Sequence, residues 1–196
     1  MSTAEATPTL DESFPRCYEA VLGGRLETPE NVLYFPARPA LSVEVKPKRG
    51  KLWTAVFAED GAGFLTGLFT TPDDRTLCVV CGGAGYFIDT DDPERSWFRV
   101  ECTPIRLALP FAKHGLLAFG NFTDFVAYRV DSDSIDVRLD VAWRTARLGW
   151  DELDVTRTTE DRIEGQAWHA PDDLMVGFSV DVQTGEHEGG AYPADT

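Results

Sequence analysis

The chain is short of basic residues. Lys and Arg number 18 against 33 Asp and Glu, giving its 196 residues a formal net charge of −15. Lysine occurs only at positions 46, 48, 51 and 113. An acidic surface repels phosphate, which argues against nucleic acid and anionic lipid as partners. The same charge speeds encounter with a basic protein, and it also keeps a chain dispersed whatever it binds. No apolar run approaches the length of a membrane span. Residues 1–10 hold neither a basic residue nor an apolar stretch, so no signal peptide is visible. Without a secretory signal, Cys17, Cys78, Cys81 and Cys102 read as reduced thiols. These absences predict a soluble, cytoplasmic, acidic protein.

Catalytic signatures are missing as well. There is no Gly-x-Ser-x-Gly elbow and no His-Glu-x-x-His helix, and His114, His169 and His187 stand apart from one another. Cys78-Val79-Val80-Cys81 has the spacing of a zinc or redox pair but lacks a second pair. Its apolar neighbours suit a strand, where residues three apart face opposite ways. Gly82-Gly83-Ala84-Gly85 is followed by a strand-like segment with no Gly-Lys-Ser/Thr, so a hairpin turn or bulge is expected in place of a phosphate loop. Asp89, Asp91 and Asp92, then Asp131, Asp133 and Asp136, could offer oxygens to calcium. However, Asp136 stands where a calcium loop needs glycine, and aspartate after a strand is a common turn former. No catalytic residue, metal ligand or cofactor is assigned.

What is present is a repeat. Tyr86-Phe87-Ile88-Asp89 returns as Tyr128-Arg129-Val130-Asp131 and as Phe178-Ser179-Val180-Asp181, with the aspartates 42 and 50 residues apart. That interval fits units that are small antiparallel sheets stacked on one another. Between the repeats the period is two: Leu41, Val43 and Val45 alternate with polar residues, and so do Ile135, Val137, Leu139 and Val141. Turn signals separate strands every 8 to 12 residues. No Trp-Asp dipeptide recurs with the repeat. The expected fold is all-β, with antiparallel blade-like sheet repeats forming an open or small propeller-like array; a β-sandwich is the alternative. Residues 1–10 are expected to be a disordered tail, 11–190 a single β-repeat domain, and 191–196 a C-terminal tail. Within the domain, Pro15 at a first helical position, the spacing of Tyr18, Val21 and Leu22, and the stop at Gly23-Gly24 predict a short N-terminal helix.

The segment Trp143-Arg144-Thr145-Ala146-Arg147-Leu148-Gly149-Trp150-Asp151 sets two tryptophans and two arginines between strands. Trp and Arg anchor binding surfaces, which makes Trp143, Arg144, Arg147, Trp150 and Asp151 the candidate partner-binding residues. Equally, the tryptophans could cover sheet ends while the arginines pair with carboxylates.

From about Trp53 to Gly190 the chain resembles bacterial proteins of unassigned function built from propeller-like strand repeats. The likeness rests on Gly82 to Tyr86, Asp91-Asp92-Pro93-Glu94, Trp143 to Asp151, and Asp181-Val182-Gln183-Thr184-Gly185. It implies a β architecture and supplies no catalytic residue. The expected function is a non-enzymatic scaffold that binds a protein partner, a basic one on the ground of charge, in the manner of immunity proteins. A hydrolase or metal-dependent enzyme with a dispersed site, and a structural subunit of a homo-oligomer, are the alternatives.

Overall fold

A computed structural model describes residues 8–23, 32–34, 39–58, 64–130 and 139–192. Their regular structure is all β apart from one 3-10 turn at Ala112–His114. The chain divides into two compact units, Met1–Ile105 and Arg106–Thr196. No helix among the described residues is long and apolar enough to cross a membrane.

The first unit holds two sheets. Sheet I runs, edge to edge, through β2 (Glu19–Leu22), β4 (Pro39–Lys46), β5 (Trp53–Ala58) and β3 (Val32–Tyr34). Sheet II runs through β1 (Thr9–Asp11), β6 (Gly67–Thr70), β7 (Thr76–Cys81), β8 (Ala84–Asp89) and β9 (Trp97–Arg99). Neighbours are antiparallel except for β1 on β6 and β3 on β5, which are parallel. The alternation read at 41–57 becomes the β4–β5 pair, with Val43 opposite Ala55 and Val45 opposite Trp53. These residues join Tyr18 and Phe57 in one core with Leu77, Val79, Tyr86 and Ile88 of sheet II. Strand β7 is buried at every position, which accounts for its unbroken apolar sequence. It turns into β8 through Gly82 and Gly83, whose φ angles of 53° and 86° suit a tight hairpin that residues with a Cβ resist.

The second unit is two antiparallel meanders. Sheet III comprises β10 (Leu107–Phe111), β11 (Leu116–Gly120), β12 (Phe125–Val130) and β13 (Leu139–Arg144). Sheet IV comprises β14 (Leu153–Thr158), β15 (Arg162–His169), β16 (Leu174–Asp181) and β17 (His187–Gly189). Their shared core takes Phe125, Ala127 and Trp143 from sheet III and Ile163, Phe178 and Val180 from sheet IV.

The sequence repeat ends the same strand each time. Its copies close β8, β12 and β16, the third members of the runs β6 to β9, β10 to β13 and β14 to β17. In β8 and β16 the aromatic and β-branched residues point into the cores. In β12 the aromatic Tyr128 instead packs edge-on against Phe119, with ring centroids 6.0 Å apart. Asp131, Asp133, Asp136 and the apolar positions Ile135 and Val137 lie outside the described residues.

In both units the residue after the repeat aspartate is tied from two sides. The Thr90 N–H donates to Arg75 O at 3.0 Å, and the Val182 N–H donates to Asp161 O at 3.0 Å. The carbonyls of the same two residues accept the indole N–H of Trp53 (3.0 Å) and of Trp143 (2.7 Å), each from the other sheet of its unit.

Two expectations are corrected. No short N-terminal helix forms at residues 13–22. The Phe14 N–H donates to Thr70 Oγ1 and the Cys17 N–H to Asp74 O, and Glu19–Leu22 is the edge strand β2 on β4. The apolar spacing fits either structure over so few residues, and pairing with β4 decides it. In addition, Thr9 and Leu10, placed in the disordered tail by sequence, pair with Gly67 and Leu68.

Replacing Trp143 by Phe keeps the ring but leaves the buried Val182 carbonyl without its donor. A loss of about 1–3 kcal/mol is expected in urea unfolding of the second unit. Two glycines of sheet IV separate close packing from open space. A Cβ on Gly165 would lie 2.2 Å from Asp154 O and 2.7 Å from the Phe178 ring, whereas one on Gly177 would meet nothing nearer than 3.9 Å. Gly165→Ala is therefore expected to lower the unfolding free energy by about 1–3 kcal/mol, and Gly177→Ala to hold or raise it, by up to about 1 kcal/mol.

Candidate functional site

The segment that links sheets III and IV is pinned residue by residue. The Thr145 N–H donates to Phe125 O at 3.0 Å and the Leu148 N–H to Thr123 O at 2.7 Å. The Leu148 carbonyl accepts from both Ala191 and Tyr192, at 2.6 and 3.1 Å. Its side chain is fully buried. Beyond it the Trp150 N–H donates to Trp168 O at 3.1 Å, and the Trp168 N–H returns to Glu152 O at 3.0 Å. These bonds bring three distant stretches together around one cleft of about 430 Å³, lined by Trp150, His169, Asp172, Leu174, Val176 and Tyr192 among others.

The Trp150 and Tyr192 rings stand 5.3 Å apart at 57°. Arg147 lays its guanidinium over Tyr192 at 4.6 Å, and its Nε donates to Gly149 O at 2.9 Å. It also bonds the Trp150 carbonyl, and it lies 3.9 Å from Asp151. Arginine thus braces the loop as much as it offers charge. On the far side the β15–β16 turn carries Asp173 at φ 49°, a left-handed backbone that aspartate tolerates. The Asp173 carboxylate accepts the Trp168 indole N–H at 3.1 Å. His169 Nδ1 stands 3.1 Å from Asp172 Oδ2, and that carboxylate is two-thirds exposed. The buried Trp150 Nε1 has no acceptor among the described residues.

Of the candidate residues, Trp150 lines the cleft, and Arg147 meets Asp151, the Trp150 carbonyl and the Tyr192 ring beside it. Trp143 does neither: it is a core residue committed to Val182. Arg144 is exposed at the end of β13 and is not among the cleft-lining residues. His169, Asp172 and Tyr192 were not among the candidate residues; the sequence marked His169 only as an isolated histidine. The one signal available was the His-Ala-Pro-Asp turn, in which the aspartate can turn back on the ring three residues earlier.

The other motifs fall to structural work. Cys81 lies in the first unit's core, while Cys78 is buried on the opposite face of β7, where burial pushes its thiol up. Asp89 binds Arg75 at 2.7 Å and accepts the Asp91 N–H at 2.8 Å. Asp181 accepts the Gln183 and Thr184 N–H groups at 2.9 and 3.0 Å. Among the described residues no group of three or more His, Cys, Asp or Glu gathers as a metal centre. A scan against protein-family models finds no match to the chain, and a search of curated proteins finds none either.

Burial alone would raise the Asp181 pKa, but the bonds from Thr184 and Gln183 and the charge of Arg162 outweigh it and hold the carboxyl below its ordinary value. A depressed folded value stabilises the fold above the ordinary carboxylate range, and that stability is lost as pH falls through the folded value. Asp181→Asn is therefore expected to cost a few tenths to about 1 kcal/mol at neutral pH, the exposed site being screened by solvent. Stability curves of the two proteins should converge in acid.

Proposed function

We propose that the chain is a non-enzymatic acidic scaffold that binds a basic protein partner, with its four sheets acting as blade-like, propeller-like units. The observation that carries this reading is the cleft: the tilted rings of Trp150 and Tyr192 on its walls, the exposed carboxylate of Asp172 among its lining residues and that of Asp151 in the loop next to Trp150. Aromatic anchors within a charged rim suit a protein contact. The net charge of −15 favours a basic one and gives the encounter an electrostatic pull. Apart from the Tyr192 phenol, no cleft-lining residue carries a hydroxyl or thiol to serve as a nucleophile.

The test is recovery of a basic protein on the immobilised chain at low salt, followed by calorimetry with that protein. Affinity should fall steeply as salt rises, and Trp150→Ala should cost about 2 kcal/mol, roughly thirtyfold. Recovery of no basic partner at low salt overturns the reading. A hydrolytic enzyme is the second reading, favoured by the His169–Asp172 pair, in which a carboxylate could orient an imidazole as general base. It requires turnover in a broad hydrolase screen that His169→Gln abolishes, and silence of the intact protein removes it.

A further inference from the structure

Strand β16 is eight residues long, but β17 covers only part of its outer edge. Pairing with β17 runs from Phe178 to Val180, and one further bond, Gly190 N–H to Gly177 O at 2.9 Å, extends it by a single residue. There the chain leaves, through Gly189 and Gly190 at φ 74° and 96°, to bind Leu148. Among the described residues, Leu174, Met175 and Val176 therefore have a strand neighbour, β15, on one side only. The direction of their backbone groups follows from the period of two. Gly177 and Asp181 bond toward the β17 side, so Met175 presents its N–H and C=O that way as well. Trp168, opposite Met175 on β15, agrees: its own N–H and C=O are spent on Glu152 and Trp150. Met175 and Leu174 are 37% and 46% exposed, and Leu174 and Val176 also line the cleft beside this edge.

We propose that this open edge takes an extended segment of the partner by strand addition. The inference rests on the reading of the chain as a binder of basic proteins. Main-chain bonds to Met175 supply the pairing. Side chains of the added strand alternate, so one that lies over this edge on the cleft side meets the walls that Trp150 and Tyr192 form. A lysine or arginine there meets an aromatic face and the carboxylate of Asp172. Charge selects this occupant over a second copy of the chain, because two copies would each bring a net charge of −15 to the same edge.

The probe is a short synthetic peptide alternating lysine with valine, measured against the full chain by calorimetry. Two changes remove the edge bonds without touching charge. Met175→Pro deletes an outward N–H that the sheet does not use, a substitution edge strands tolerate. Methylating alternate peptide nitrogens deletes the donors from the other side and leaves the protein intact. Each is expected to weaken binding about tenfold, the worth of one or two net hydrogen bonds. If the lysine–valine peptide binds but neither change weakens it, the edge proposal is overturned while the basic-partner reading stands. If neither that peptide nor any basic protein binds, both fall. A dimer of the chain in light scattering that Met175→Pro dissolves would give the edge to a second copy and likewise overturn the proposal.

Discussion

A buried indole N–H has one strong hydrogen bond to give, and each unit of this protein spends one on the same kind of acceptor. Trp53 and Trp143 reach across their cores to the carbonyls of Thr90 and Val182, the residues immediately after the repeat aspartates. Those carbonyls are in place because the aspartates are. Asp89 and Asp181 each accept the N–H two residues on, which folds the chain back at the strand end. The N–H of the stapled residue is fixed in turn to the start of the preceding hairpin, at Arg75 and at Asp161. Removing either indole would leave a buried carbonyl unmet, at a cost larger than the net worth of the bond itself. At the ends of β8 and β16 the repeat therefore closes a turn so that a tryptophan from the facing sheet can bind it.

That meaning was half visible in the sequence. The aromatic and β-branched residues two apart declare a strand face, and the aspartate declares a turn, because both are local properties. The tryptophan is not local: it lies in another sheet and carries no mark of its partner. Trp143 and Trp150 illustrate this. The first sits opposite Ala127 of β12, past a shift in the β12–β13 register, and becomes core. The second follows Gly149 in the linker and becomes a wall of the cleft. Arg147, Trp150 and Asp151 could be read as a group because they are close in sequence, whereas Tyr192 joins them through the fold, by the two bonds that Leu148 accepts and its ring contacts with Trp150 and Arg147. The parallel pairings of β1 and β3 were hidden for a related reason: each is three residues long and is created by its neighbour.

An open edge on a sheet invites a copy of the same sheet, and proteins guard such edges with charge, proline or a bulge. The edge at Leu174–Val176 shows none of these on its own residues, which are Leu, Met and Val. The guard lies around it. Asp172 is largely exposed in the adjoining turn, Glu188 is exposed on β17, and the chain as a whole is strongly acidic. Like charge over a Debye length of about 8–10 Å discourages two such edges from meeting, and the same field attracts a basic segment. Under the proposed reading, one distribution of charge keeps the edge open and selects what closes it. The excess of acid over base that marks the sequence would then bear on recognition as well as dispersal.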